Sequence, residues 1–343
     1  MKKLNKRIAF VLTLVFSVMI FAGCTGNSKE GNANEKTITV EDQLGRKVEI
    51  KGDVNRIISS YYVSTSILIG LGLQDKVVGI EKKAKNREMY KKCAPEFLKL
   101  PAVGTGKEIN VEECIKLKPD LVIIPTRLKK FIPDLEKVNI KVIAIEPENL
   151  DSFMQTVELI GKATGANEKA NKFLDYYKNT LDKVSKLVKE TKNRPTVYLG
   201  GTDNILKTCT GKMYQNYMIE ESGGTNVTKD IKDGYWANIS VEQLIKFNPE
   251  VIYVVGYAKY TPKDVLNDER LKGVDAIKNK KVYTFPSKLE PWDFPTPSSI
   301  LGMLWILQNI HSDVYSTDDF KKDAKAFYKE FYNLDVSDEE IGL

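Results

Sequence analysis

Short apolar runs alternate with helical patterns along most of this 343-residue chain. Two alternating runs on either side of Leu44-Gly45 predict a β-hairpin, because their apolar residues recur at every second position. Further strands are predicted at 56–58, 77–80, 121–125, 141–145, 196–199 and 281–285, and helices at 64–71, 213–221, 298–309 and 318–332. Apolar strands that alternate with helices are typical of an α/β fold with parallel sheets covered on both faces.

From about residue 150 to residue 191 the apolar spacing is purely helical. Apolar side chains recur three or four positions apart, at Phe153, Val157, Ile160, Phe173, Tyr177, Leu181, Val184 and Val188. Gly161 and Gly165 predict a break in this segment, since each glycine weakens a helix by up to ~1 kcal/mol relative to alanine. The remainder predicts a long, rigid connector between two α/β regions.

Two segments, 109–124 and 239–254, repeat each other in sequence. Six of the sixteen aligned positions are identical: Ile109/Ile239, Val111/Val241, Glu112/Glu242, Ile115/Ile245, Lys116/Lys246 and Pro119/Pro249. Each copy predicts a helix, a proline and a buried strand. The repeat therefore indicates two lobes of similar construction.

The start of each repeat helix carries a capping signal. The cap residues and their partners three positions later are Asn110 with Glu113 and Ser240 with Gln243. This leaves Glu112 and Glu242 without a capping role. The helix dipole alone favours a carboxylate in the first turn, so a purely structural explanation of these two glutamates stays open.

The beginning of the chain has the layout of a secretory signal peptide, with four cations in the first seven residues and an apolar run at 8–22. The run falls short of the ~20 residues that a membrane-spanning helix needs. Phe21-Ala22-Gly23-Cys24 resembles the lipobox of bacterial lipoproteins, in which the cysteine is diacylated and becomes the first mature residue. The resemblance implies cleavage after residue 23, an acyl anchor on Cys24 and a location on the extracytoplasmic face of the cell membrane. Residues 24–36 are polar and predict a flexible tether.

Charge and cysteine content narrow the possible functions. The formal net charge of +6 falls to about +2 once the four cations of the signal segment are removed, and basic residues form no stripe interleaved with aromatics. We therefore expect no nucleic-acid partner. Apart from Cys24, the cysteines are Cys93, Cys114 and Cys209, and the chain has one histidine, His311, so neither a zinc site nor a disulfide framework is predicted.

Several segments together resemble the substrate-binding lipoproteins of ABC importers for iron-siderophores, heme and cobalamin. They are DQLGRKVEI from Asp42, RIIS, GLGLQDKVVGI, both repeat segments, SGGTN at 222–226 and DERLKGVDAIKNKKVY at 268–283. The resemblance covers about residues 37–332 and implies two Rossmann-like α/β lobes with a ligand cleft between them. The implied boundaries are an N-terminal lobe at 37–147, a single long interlobe helix at 148–192 and a C-terminal lobe at 193–343.

The same resemblance implies a permease dimer, with its ATPase, as the partner. In cobalamin-binding members, one glutamate per lobe docks into arginine pockets of the permease, and these glutamates correspond to Glu112 and Glu242. Exposed carboxylates at rigid helix starts are suited to charge-assisted pairs with arginine.

Candidate ligand contacts come from the loops that follow the strands, because ligands of open α/β sheets bind at the carboxyl ends of the strands. These candidates are Ser60, Tyr61, Tyr62, Arg127, Lys129, Lys130, Thr202, Asp203, Tyr235, Trp236, Tyr257 and Trp292. Aromatic rings stack on flat ligands, and cations neutralise the anionic groups that wrap a chelated metal. Structural explanations stay open: a solvated helix start for the cations at 127–130, packing for the aromatics, and a lid over the core for Trp292.

The ligand is expected to be a chelated metal, first a ferric siderophore, then a corrinoid or a tyrosine-ligated heme. No resident cofactor is expected, and a bare metal ion is disfavoured because one histidine cannot build the usual ligand cluster. A surface enzyme on the same scaffold is the competing class. The sequence contains no GxSxG, HExxH or P-loop motif, although an acid pair such as Asp203 with Asp293 stays open. A sensor without a permease is a third possibility.

Overall fold

The computed structural model describes residues 37–286 and 288–343, which belong to one compact unit. The predicted signal peptide, Cys24 and the predicted tether lie outside the described residues. The strands of the first half are β1 (Thr37–Glu41), β2 (Lys47–Lys51), β3 (Ile57–Ser59), β4 (Val77–Glu81), β5 (Ala102–Gly104), β6 (Leu121–Pro125) and β7 (Lys141–Ile145). The helices up to the middle of the chain are α1 (Tyr62–Gly70), α2 (Glu88–Cys93), α3 (Val111–Lys116), α4 (Ile132–Glu136), α5 (Leu150–Thr164) and α6 (Asn167–Glu190).

The N-lobe sheet has the order β5-β4-β3-β6-β7, and all of its neighbouring strands are parallel. All five residues of β6 are buried, as an apolar run in the centre of a doubly covered sheet requires. The predicted hairpin is confirmed, because β1 and β2 pair antiparallel and Gly45 adopts a φ of 75° in the turn. Glycine tolerates this left-handed conformation without steric cost.

The connector consists of two helices. Helix α5 ends at Thr164, and Gly165 follows with a φ of 73° in a left-handed cap, which confirms the predicted break. The segment 148–192, implied as a single long interlobe helix, therefore begins with α5 and continues after this break as α6. Helix α5 packs on β1 of the N-lobe, whereas the 24-residue α6 also contacts helices of the second half, so α6 is the long bridge.

The strands of the second half are β8 (Thr196–Gly200), β9 (Lys207–Cys209), β10 (Thr225–Asn226), β11 (Trp236–Asn238), β12 (Val251–Val254) and β13 (Val282–Thr284). Its helices are α7 (Tyr214–Glu221), α8 (Val241–Phe247), α9 (Pro262–Leu266), α10 (Asp275–Lys278), α11 (Ser299–Ile310) and α12 (Thr317–Tyr332). The C-lobe sheet has the order β11-β9-β8-β12-β13, with β10 beside β8. It is mixed rather than parallel: β9 runs antiparallel to β8 and β11, because the short connection from β8 to β9 can only join antiparallel strands.

The lobes also meet in the segment 288–298, which precedes α11. Glu290 is buried and accepts hydrogen bonds of 2.5 Å from Ser66 of α1 and from Ser298. Tyr177 of α6 donates to the backbone oxygen of Pro297 at 2.7 Å. These buried contacts join α1, α6 and the segment that precedes α11.

Candidate functional site

The N-lobe side of the site is built where β3 ends. Ser59 and Ser64 are fully buried with their hydroxyl oxygens 2.7 Å apart, and Thr65 donates to Glu81 of β4 at 2.8 Å. These bonds tie the start of α1 to the sheet. They thereby fix Tyr61 and Tyr62, whose rings pack edge-to-face with centroids 4.8 Å apart.

Arg127 follows β6 and lies over Tyr61, with its guanidinium carbon 4.6 Å from the ring centroid. Its Nε donates to the backbone oxygen of Gly106, and its Nη1 lies 3.9 Å from Glu148 Oε1. A Cβ atom at position 106 would lie 2.5 Å from Arg127 Nη2, so the glycine permits this approach. The guanidinium is oriented by its neighbours but retains exposed donors.

A cavity of about 490 Å³, here called the cleft cavity, separates the two lobes. Its N-lobe wall consists of Tyr62, Arg127 and Glu148, and its C-lobe wall of Thr202, Met213, Tyr214, Gln215, Tyr235, Trp236, Tyr257, Phe294 and Pro295. Phe294 packs between Tyr62 and Tyr257, with ring centroids 5.4 and 4.9 Å apart. An aromatic chain therefore crosses the cleft from one lobe to the other.

A buried acid, Asp293, lies beneath the C-lobe wall. Tyr257 donates to Asp293 Oδ2 at 2.6 Å, and Gln215 Nε2 donates to the same oxygen at 3.3 Å. Burial raises the pKa of Asp293 to about 6, although both hydrogen bonds act in the opposite direction. Asp293 Oδ1 and Gln215 Oε1 are buried and find no partner within the described part of the chain.

A second cavity of about 470 Å³, here called the N-lobe cavity, shares Tyr62 and Arg127 with the first. The other lining residues are Ser60, Tyr61, Glu81, Lys82, Lys83, Arg87, Thr105, Gly106 and Lys107. The guanidinium carbon of Arg87 lies 4.4 Å from the centroid of Tyr62, and its Nε is 3.3 Å from Glu81 Oε1. Burial raises the pKa of Glu81, while the charge of Arg87 lowers it.

Arg87 is a site residue that sequence reasoning missed. It precedes the short α2 in a stretch without strand or helix periodicity, so no motif marked it. Four other arginines of the described chain make contacts away from the two cavities: Arg46 with Asp42 and Glu136, Arg56 with backbone oxygens, Arg194 with backbone oxygens and Arg270 with Asp268. Arg87 and Arg127 are the arginines that line the two cavities.

Comparison with known proteins places the chain in a family. Residues 57–289 match the family model of the periplasmic binding proteins, which is more than half of the chain. The chain belongs to this family. Proteins similar to this chain include substrate-binding components of ABC transporters.

The molybdate-binding protein MolA of Haemophilus influenzae is 26% identical over 85% of this chain and 90% of its own length. The Fe(3+)-citrate-binding protein YfmC of Bacillus subtilis is 26% identical over 81% of this chain and 89% of its own length. A crystal structure of a periplasmic solute binding protein from Veillonella parvula superposes with a TM-score of 0.79 and 28% identity, covering 90% of this chain and 96% of that one. This agreement confirms the predicted α/β fold of two lobes.

Eight of the predicted ligand contacts of this periplasmic binding protein line a cavity. Tyr62, Arg127, Thr202, Tyr235, Trp236 and Tyr257 line the cleft cavity, and Ser60 and Tyr61 line the N-lobe cavity. Their role in binding stays a prediction. The fold brings these residues together from loops that are up to about half the chain apart in sequence.

Four other predicted contacts lie elsewhere in the binding protein, outside the lining of both cavities. Lys129 and Lys130 are exposed in the turn after β6. Asp203 pairs with Lys207 and Lys259 at 2.8 and 2.9 Å, and these bonds lower its pKa to about 2. Trp292 is 1% exposed and donates from Nε1 to the Tyr328 hydroxyl at 2.9 Å, so it belongs to the core rather than to the cleft.

The two glutamates predicted to dock are both exposed. In α8 the capping box is complete, since Ser240 accepts from Gln243 N and Gln243 accepts from Ser240 N at 2.8 Å. In α3 Asn110 accepts from Glu113 N, but the Glu113 carboxylate lies 3.7 Å from Lys116 Nζ. A hydrogen bond from Ser240 lowers the pKa of Glu242, which favours the charged form.

Within the described part of the chain, no helix is both long and apolar enough to cross a membrane. Residues 37–286 and 288–343 also contain no group of three or more histidine, cysteine, aspartate or glutamate side chains placed to hold a metal ion. Cys93, Cys114 and Cys209 are free thiols. His311 is buried, and its Nε2 lies 3.1 Å from the backbone oxygen of Gly223.

Proposed function

We propose that this binding protein captures an anionic metal chelate, with a ferric siderophore as the first choice, and delivers it to an ABC permease. One observation carries the choice of ligand: the two cavities meet at Tyr62 and Arg127, and their walls hold five cations against two carboxylates. The cations are Lys82, Lys83, Arg87, Lys107 and Arg127, and the acids are Glu81 and Glu148.

The aromatic chain across the cleft supports a flat ligand rather than a compact ion alone. The cavity of about 490 Å³ is within the usual size for a small-molecule site of roughly 300–1,000 Å³. Catecholate or other conjugated rings stack on Tyr62, Trp236 or Tyr257, while Arg127 neutralises the oxygen atoms that surround the metal. The metal in this proposal arrives with its own ligands and is cargo.

Tyrosine-ligated heme, an alternative from the sequence, requires a phenolate. Burial and the charge of Glu148 raise the pKa of Tyr61, and burial raises that of Tyr62 well above its ordinary value. Both phenols are therefore protonated at neutral pH, and ligation would have to remove a proton from a buried site. A corrinoid fits the aromatic wall but leaves the excess of cations without a counterpart.

Enzymatic chemistry receives less support from the site. The acid pair that sequence left open is divided between two environments: Asp203 is exposed and bound to lysines, and Asp293 is fully buried beneath Tyr257. A general acid and base acting on one substrate must both reach it. Binding followed by transfer explains the same residues without a catalytic pair.

Delivery in this proposal uses the lipid anchor on Cys24 and the exposed Glu112 and Glu242. The acyl chains hold the protein at the membrane that contains the permease. The two glutamates then meet cationic pockets on the permease dimer, one for each lobe. Replacing both glutamates by alanine is expected to abolish uptake while leaving ligand affinity unchanged.

Ligand titration of the secreted Cys24→Ser chain tests the proposal. Tryptophan fluorescence and thermal shift are followed with a ferric triscatecholate, a ferric trihydroxamate, ferric citrate, molybdate, cobalamin and hemin. We expect saturable binding of a ferric chelate at micromolar concentration or below. Binding of cobalamin in preference to every anionic chelate, or the absence of both signals with the whole panel, would overturn the proposed cargo.

A further inference from the structure

Exposed large apolar side chains are few in the described part of the chain. They are Ile115, Val138, Tyr235, Ile245 and Leu343, each between 39% and 50% exposed. Tyr235 lines the cleft cavity, where a ligand would cover it. Ile115 and Ile245 occupy the same position in the two copies of the repeat, on α3 and on α8.

Each isoleucine shares one helix face with two charged residues. The isoleucine stands three positions after the glutamate and the lysine four positions after it, so both are neighbours of the glutamate on the surface of the helix. The two sets are Glu112, Ile115 and Lys116 on α3 and Glu242, Ile245 and Lys246 on α8, and all six side chains are exposed.

Folding alone does not explain this identity. The buried position of each helix differs between the copies, with Cys114 in α3 and Leu244 in α8, both 0% exposed. Of the four identical positions within the helices, Glu, Ile and Lys are exposed, and Val111/Val241 is partly buried against the core. A single exposed isoleucine is ordinary on a protein surface, but the same exposed Glu, Ile and Lys recur in both copies, and this recurrence points to an external contact.

Both helices begin on the side of the sheets where the cleft opens. Helix α3 follows β5, which is parallel to the rest of the N-lobe sheet, so its start lies at the carboxyl edge. Helix α8 follows β11, which is antiparallel to β9 and hence runs in the direction of β8. One partner that covers the mouth of the cleft can thus reach both faces.

We propose that these two faces are equivalent docking patches, in which Ile115 and Ile245 each enter an apolar socket of the permease dimer beside the cation that receives the glutamate. This inference rests on the proposed function and extends its docking step. A two-fold symmetric partner presents the same surface twice, which matches two identical patches. Exposed ion pairs contribute little affinity by themselves, whereas an apolar side chain buried at the centre of a contact contributes more.

The test measures binding of the secreted Cys24→Ser chain to the permease–ATPase complex in lipid nanodiscs, without any ligand. The double variant Ile115→Lys with Ile245→Lys is compared with the double variant Glu112→Ala with Glu242→Ala. Val138→Lys is the matched control, because Val138 is 46% exposed and lies outside the repeat. We expect the isoleucine variant to bind at least about tenfold more weakly, and the Val138 variant to bind like the unchanged chain.

The outcomes separate this inference from the proposed function. Normal binding by the isoleucine variant, together with a loss in the glutamate variant, overturns the apolar patches and leaves the docking glutamates in place. Normal binding by both double variants overturns the docking assignment as a whole. The affinity of each variant for the ferric chelate, measured by thermal shift, must stay unchanged, because a loss there would assign the effect to folding and contradict a surface role.

Discussion

The two walls of the cleft cavity differ in charge. The N-lobe contributes Arg127 and Glu148 beside Tyr62. The residues that the C-lobe contributes to the described lining are all uncharged, and the acid Asp293 lies buried beneath them. Behind the N-lobe wall, the N-lobe cavity adds Arg87 and three lysines. Under the proposed function, we infer from this contrast that the N-lobe recognises the charge of the ligand and the C-lobe its shape.

This division has a physical basis in how the cations are held. Arg127 and Arg87 each lie against a tyrosine ring and near one carboxylate, at 3.9 and 3.3 Å. Stacking orients a guanidinium without using its donors, so the donors remain for a ligand. In the C-lobe, the polar tips of Tyr257 and Gln215 are directed to Asp293, which leaves rings and amide faces at the surface of the cavity.

Removing the charge of Arg127 should have the largest effect on ligand affinity, and it tests the difference in charge between the two walls directly. Arg127→Ala is expected to weaken binding of the ferric chelate by about 10- to 100-fold, since a hydrogen bond to a charged group contributes roughly 1.5–3 kcal/mol. Equilibrium titration by fluorescence measures the change. The affinity should also fall with added salt in the unchanged chain and less steeply in the variant.

The matched control is Lys129→Ala with Lys130→Ala, because both lysines lie close to Arg127 in sequence but outside both cavities. We expect a change below about twofold. A large loss in this control with none in Arg127→Ala would reverse the assignment of the charged wall.

The C-lobe wall is tested by the pH dependence of folding stability, to which the buried Asp293 contributes. Its pKa of about 6 in the folded protein exceeds the ordinary 3.8, so the native state holds a proton that the unfolded chain has released between these values. Stability from this group is therefore full below about pH 4 and falls as the pH rises to about 6, by roughly 3 kcal/mol in all. Urea unfolding at pH 4, 5, 6 and 7 should show this fall relative to Asp293→Asn, which keeps an acceptor for Tyr257.

Parallel stability curves for the two proteins would mean that Asp293 titrates normally.

The Asp293→Asn variant should also change chelate affinity at pH 7 by less than about threefold, because the carboxylate faces Tyr257 and Gln215 rather than the cavity. A loss as large as that of Arg127→Ala would show that the C-lobe also recognises charge.

Much of this arrangement could be predicted from the sequence. Strand periodicity placed β6 and β7 at their observed bounds, and the rule that ligands bind at strand ends selected Tyr62, Arg127 and Tyr257. The duplicated segment located both repeat helices and their caps, because capping residues act within one turn.

The remainder depended on contacts between distant segments. Arg87 becomes part of the site because Tyr62 of α1 and Glu81 of β4 hold it, and no local pattern encodes that contact. Trp292 resembled a cleft aromatic among prolines, yet α12 supplies Tyr328 and Phe320, which draw it into the core. Sequence spacing selects candidate loops, but tertiary packing decides which side chains face inward.

Substitution of Trp236 is expected to change affinity least, and it tests the C-lobe wall, whose lining residues are uncharged. Trp236→Phe keeps an aromatic face in the cleft cavity, so we expect chelate affinity to change by less than about threefold. The fluorescence response should nevertheless be largely lost, because Trp292 and Trp305 are buried in the core at 1% and 5% exposure and line neither cavity. Thermal shift supplies the affinity in this variant. Quenching that persists at full amplitude would place the ligand away from the C-lobe wall, and a loss of affinity equal to that of Arg127→Ala would give both walls the same weight in binding.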